Sequence, residues 1–75
     1  MLKLSELEVG KSRRIVKVHG EGILRDRLLD MGLTPRTVVM IRKRAPMGDP
    51  IEITLRGYEL TIRLEEASQI EIEEE

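Results

Sequence analysis

Residues 51–64, IEITLRGYELTIRL, decide the fold. Ile51, Ile53 and Leu55 alternate with Glu52, Thr54 and Arg56. Beyond Gly57, Leu60, Ile62 and Leu64 alternate with Glu59, Thr61 and Arg63. Period-two patterning on both sides of a glycine specifies a β-hairpin with one dry and one wet face. A two-residue loop at Gly57-Tyr58 would place glycine first, as a type II′ turn requires, and would pair Leu55 with Leu60. A loop at Arg56-Gly57 also sets apolar residues opposite apolar ones, so parity admits both.

The hairpin is preceded by APMGDP, residues 45–50. Two prolines, a glycine and an aspartate make it a stiff loop. Before it, TVVMIRKR (37–44) reads as a strand with Val39 and Ile41 on one face and Val38 and Met40 on the other. RRIVKV (13–18) is a further strand. Ile15, Val16 and Val18 cannot all face one side, so a bulge or burial on both faces is implied. Between these strands, Leu24, Leu28 and Met31 fall at i, i+4 and i+7, which predicts one α-helix over about 22–31. Leu29 lies off that stripe. Gly32 suits a left-handed C′ position, Leu33 a hydrophobic contact just past it, and Pro35 forbids continuation. In the N-terminal LKLSELEVG, Ser5 is placed to cap a single helical turn. After the hairpin, EEAS is a short helical turn and QIEIE a closing strand with Ile70 and Ile72 inward.

The expectation is a mostly β domain: a small barrel of five strands, one inserted α-helix and a short helical turn before the last strand. Seventy-five residues make a single domain spanning 1–75, with 73–75 a frayed tail. A chain this short buries only about 60% of its unfolded surface. It has little room to enclose a small-molecule cavity of ~300–1,000 Å3 as well as a core.

Composition removes further classes of function. There is no cysteine, hence no thiolate nucleophile and no zinc–thiolate site. No apolar run is long enough to span a bilayer and no signal-peptide pattern is present, so a soluble, cytoplasmic protein is expected, not itself inserted in a membrane. Tyr58 is the single aromatic residue, which argues against stacking of single-stranded nucleic acid. The net charge of −1 divides unevenly: residues 1–44 carry 11 Lys/Arg against 5 Asp/Glu, and residues 45–75 carry 2 against 9. Arg13, Arg14, Lys17, Arg42, Lys43 and Arg44 could form a basic stripe if their strands are neighbours. Near-zero net charge makes ordinary solvated charge the better reading, and no nucleic acid is expected as a partner.

No nucleophile elbow surrounds Ser5, Ser12 or Ser68, and HGEGIL (19–24) lacks the spacing of a phosphate loop. His19 with Glu21, and Glu71, Glu73 and Glu75 in the tail, are the only seeds for a metal site. They read better as an exposed histidine and a solvated tail. No catalytic, cofactor or metal residue is assigned. What remains is apolar side chains on the wrong face: Val38 and Met40 opposite the core side of their strand, and Met47 at a loop tip. Methionine suits an adaptable protein-binding surface. The expected partner contact is Met47, Val38 and Met40 with Arg42, Lys43 and Arg44.

Four stretches in this order and spacing carry a resemblance: LSEL with the following glycine, LRDRLLDMGLTP, RAPMGDPIEI and RGYELTIRLEEASQIEI. Together, over about residues 4–73, they resemble the FeoA family, the small cytosolic component of bacterial and archaeal ferrous iron uptake. The family usually has glycine where this chain has Arg36. A glycine there suits a type II turn at Pro35, and arginine suggests a type I turn or a strained one. The resemblance implies an SH3-like barrel similar to the C-terminal module of iron-dependent repressors. It further implies a non-enzymatic accessory role without a cofactor, binding the FeoB permease through its cytosolic part and regulating or assembling it. A weak homo-oligomer is compatible with this. The alternative is a regulatory module of an iron-responsive transcription system or a nucleic-acid-binding small barrel. In SH3-type barrels the loop that APMGDP resembles lines a ligand groove.

Overall fold

The computed structural model describes residues 1–74. The elements are β1 (Leu2–Lys3), a 3-10 turn (Leu4–Glu6), β2 (Ser12–Val18), α1 (Gly22–Asp30), β3 (Val38–Arg44), β4 (Ile51–Leu55), β5 (Tyr58–Ile62), α2 (Leu64–Ala67) and β6 (Ile70–Ile72). The strands form one antiparallel sheet in the order β1-β6-β2-β3-β4-β5. It therefore has six strands where five were expected. The extra one, β1, is only two residues long and pairs Leu2 with Ile72, too short to carry a periodic signal. The sheet curls around one core but stays open, with β1 and β5 as its edges.

The alternation of the opening hairpin sets the dry side. Ile51, Ile53, Leu55 and Ile62 are buried, as are Val39 and Ile41 of β3 and Ile70 and Ile72 of β6. Leu28 and Leu33 close the core from α1 and the residue beyond its stop. Leu29, off the helical stripe in the sequence, still packs against this cluster.

The helix stop forms as expected. Leu33 N donates to Leu28 O (3.2 Å) and Gly32 N to Leu29 O (3.0 Å), the two bonds of a Schellman motif. Gly32 has φ +96°. The hydroxyl of Tyr58 donates to Met31 O (2.7 Å) across the same place.

The hairpin loop is Arg56-Gly57, with Leu55 opposite Tyr58 and Ile53 opposite Leu60. Both loop residues have positive φ, +49° and +82°, which is a type I′ turn. Arginine is a poor residue for that conformation. Tertiary bonds hold it there: Arg56 Nη2 donates to Thr34 Oγ1 and Thr37 Oγ1, each at 2.8 Å. The hairpin thus grips the 31–37 turn from both of its arms, through Arg56 and Tyr58.

Arg36 also adopts positive φ (+77°), and Thr37 N donates to Thr34 O, so the 34–37 turn is the strained alternative rather than type I. Arg36 N is committed to Ile15 O (2.8 Å), which fixes the strand pairing around it. Left-handed backbone costs a non-glycine residue about 1–2 kcal/mol, and glycine loses about 0.4–1 kcal/mol through unfolded-state entropy. Arg36→Gly is therefore expected to stabilise the domain by about 0.5–1 kcal/mol, read from urea unfolding. An unchanged or lower midpoint would mean that the Arg36 side chain holds the turn by some other interaction.

At the N-terminus Ser5 caps nothing. Glu6 Oε1 instead accepts from Lys3 N (2.8 Å), so the turn is closed from its third residue. α2 repeats the device, with Glu66 Oε1 accepting from Arg63 N (2.8 Å). In the tail, Glu73 N donates to Arg14 O (2.9 Å) and Glu74 pairs with the N-terminal amine at 3.6 Å. These two residues are thereby tied to β2 and the chain start, and Glu75 lies outside the described residues.

Candidate interaction surface

The outward face of the sheet is built from β3 and its neighbours. Val38 stands opposite Arg14, and Met40 is flanked by Ser12 on β2 and Thr54 on β4. Val38 is 49% exposed, while Met40 is half-buried among these cross-strand neighbours. Among the described residues no helix packs substantially on β3.

Past Met40 the register between β3 and β4 shifts: Ile41 pairs with Ile53, but Lys43 with Glu52. Arg42 is the extra residue of a β-bulge. The bulge lets both Arg42 and Lys43 face solvent. Arg42 reaches Glu52 (3.1 Å) and Glu59 (3.0 Å), and Lys43 reaches Glu52 (3.3 Å). The basic segment is therefore neutralised by carboxylates of β4 and β5. Arg44 turns away from this cluster. It pairs with Ile51, and its Nη2 donates to Ser5 O (2.9 Å) and Leu7 O (2.8 Å), tying the N-terminal turn to the end of β3.

Residues 45–50 are held at both ends. Gly48 N donates to Ala45 O (2.7 Å) and Ala45 N to Pro50 O (3.0 Å), and the Asp49–Pro50 peptide is cis. Asp49 Oδ1 accepts from Leu64 N (2.9 Å) at the start of α2. The loop is thus a corner that also caps a helix. Its tip presents Met47, 92% exposed. Side-chain ordering on binding costs entropy, but the backbone beneath Met47 is already fixed.

Val38 and Arg44 bracket a strand of seven residues, roughly 20 Å from end to end at ~3.3 Å per residue, and Met47 lies in the loop beyond Arg44. The expected contact residues form a strip, not a pocket: an apolar end at Val38 and Met40, a charge-balanced middle, and Met47 at the far tip.

Other apolar side chains outside the expected contact are exposed as well. Ile23 at the start of α1 is 86% exposed, and Val9 is 53% exposed. For Ile23 a signal existed: it lies off the stripe formed by Leu24, Leu28 and Met31. Val16 is the extra residue of the β2 bulge, since Ile15 pairs with Ile72 and Lys17 with Glu71. It borders a shallow open depression of about 530 Å3 with Glu71, Ile72, Glu73 and Glu74.

His19 meets Glu71 (Nε2···Oε1 2.8 Å) rather than Glu21. Among the described residues no three His, Asp or Glu side chains come close enough together to hold a metal ion. No helix among them is long and apolar enough to cross a membrane.

Comparison with known proteins agrees with this architecture. The chain is similar to an Fe(2+) transport protein A/Fe(2+) transporter FeoB fusion protein of Porphyromonas gingivalis, 36% identical over 72 residues. That match covers 96% of the chain and only 8% of the fusion. A FeoA-like protein of Clostridium acetobutylicum superposes with a TM-score of 0.90 at 38% identity, covering 96% of this chain and 84% of the other. FeoA of Stenotrophomonas maltophilia, described as an SH3 domain protein in complex with zinc, shares the fold at 22% identity, with a TM-score of 0.85 over 97% of this chain and 91% of the other. The model of the FeoA domain matches residues 2–74, and with the six-stranded SH3-like sheet and its inserted helix the chain belongs to the FeoA domain family.

Proposed function

We propose that this chain is a non-enzymatic, cytosolic accessory protein of ferrous iron uptake that binds a FeoB-type permease and regulates or assembles it. The observation that carries this reading is the Porphyromonas gingivalis relative, an Fe(2+) transport protein A/Fe(2+) transporter FeoB fusion, in which a unit similar to 96% of this chain is part of one polypeptide with FeoB. Fusion makes an encounter between partners intramolecular, which serves two proteins only if they act together. Contact is made through the strip on β3 and the 45–50 loop, with Val38, Met40 and Met47 as apolar anchors. Arg42 and Lys43 exchange their carboxylate partners at its middle. Arg44 supports the strip from behind rather than touching the partner.

The test is binding of this chain to full-length FeoB in detergent, with and without guanine nucleotide. The double variant Met40→Asp/Met47→Asp is expected to weaken binding about 100-fold or more, because two buried anchors become two desolvated charges. Its melting temperature should stay within a few degrees, since Met47 is exposed and Met40 lies on the outer face. Unchanged affinity in the variant would move the contact elsewhere. No association of the wild-type chain in either nucleotide state would remove FeoB as the partner.

A further inference from the structure

The free edge of β5 is self-complementary, and we propose that it pairs two copies of this chain antiparallel, with Glu59 of each opposite Thr61 of the other. β5 ends the sheet and, among the described residues, pairs only with β4. A two-residue type I′ turn is closed by a hydrogen-bonded pair, here Leu55–Tyr58. Alternation then makes Ile53–Leu60 and Ile51–Ile62 bonded pairs as well. The N–H and C=O groups of Glu59 and Thr61 therefore point away from β4, at an open edge. Both residues are exposed.

Two-fold pairing about Leu60 puts those four groups of one copy against the same four of the other. Each Glu59–Thr61 match is a bonded pair, and the two Leu60 side chains meet on the core side. The neighbouring registers are worse. A shift that sets Glu59 against Glu59 opposes like charges. A shift that sets Thr61 against Thr61 calls on Arg63 N–H, which already donates to Glu66 Oε1. In the favoured register Arg63 of one copy falls diagonal to Glu59 of the other, an opposite-charge neighbour. The strand has only five residues. Its pairing covers far less than the ~1,200 Å2 typical of stable complexes, so the dimer forms weakly, with Kd on the order of 0.1–1 mM. It would join the two sheets into one and set two copies of the β3 strip on a single continuous surface.

Sedimentation equilibrium and two-dimensional amide NMR of this chain alone, from 20 μM to 2 mM on the order of magnitude that Kd demands, test the proposal. The amides of Glu59 and Thr61 are expected to shift with concentration. Thr61→Lys places a cation opposite the other copy's Glu59 and should tighten association about fivefold, while Thr61→Glu should weaken it about fivefold or more. Melting curves confirm that both variants stay folded, because Thr61 also neighbours Glu52 across β4. A monomer at every concentration overturns the proposal. So does association whose amide shifts fall elsewhere, or two variants that move Kd in the same direction, which would place Thr61 opposite itself or outside the contact.

Discussion

Gly32→Ala is expected to lower stability by about 2–3 kcal/mol and the melting temperature by about 8–24 °C in a domain of this size. Two independent causes add. At φ +96° an alanine pays about 1–2 kcal/mol in backbone strain. A Cβ built on this glycine also falls within van der Waals contact of the Tyr58 hydroxyl oxygen, which must move and release its bond to Met31 O. That bond is worth about 1 kcal/mol. Tyr58 Cζ lies 3.7 Å from the same Cβ, an ordinary contact, so removing the hydroxyl removes the collision. In the Tyr58→Phe background, Gly32→Ala should then cost only the strain, about 1–2 kcal/mol. Additive losses in that double-mutant cycle would show that the hydroxyl does not constrain the glycine.

Glu66→Ala is expected to cost about 2–3 kcal/mol, a loss of similar size. Glu66 is 7% exposed, yet charged. Its two carboxylate oxygens do different things: Oε1 closes the start of α2 through Arg63 N, and Oε2 accepts from Arg27 of α1. One carboxylate thereby fastens the two helices to each other. The Arg27 side chain is 59% exposed and rehydrates when its partner is lost, so the ion pair itself contributes modestly. The cap and the packing of the buried stem contribute most. Glu66→Gln keeps an acceptor for Arg63 N–H and removes only the charge, so about 1 kcal/mol is expected. Equal losses for the two substitutions, measured by urea unfolding, would mean that the charge and not the cap is what α2 needs.

These two positions differ in how far the sequence announced them. Gly32 followed by Leu33 and Pro35 is a local signal, because both backbone bonds of the helix stop join residues within five positions of each other. Glu66 gave none beyond lying in EEAS. Its burial depends on Arg27, which is 39 residues away. The N-terminal turn shows the same limit. Ser5 looked like the cap by residue type, but β1 pairs with β6 and brings Lys3 rather than Ser5 to the helix start.

The candidate surface divides along the same line. Strand alternation alone placed Val38 and Met40 on the outer face, and Met47 at an exposed tip follows from its two flanking loop residues. Whether a helix covered that face could not be read from periodicity, since packing of α1 depends on contacts between distant segments. The β3 bulge at Arg42 was likewise silent. It sets one residue out of register with β4, and so decides that Arg42 and Lys43 meet carboxylates while Arg44 reaches back to Ser5 and Leu7.

By itself the sequence determined the hairpin, the single helix and its stop, and the faces of the strands that alternate cleanly, because period and turn chemistry act over a few residues. The tertiary structure decided which hairpin loop was used. Parity allowed two, and Arg56 takes the left-handed position because Thr34 and Thr37 receive its guanidinium from 22 and 19 residues away. Loop choice, bulge position and the burial of Glu66 are settled only when distant segments meet, and those meetings leave no periodic trace in the chain.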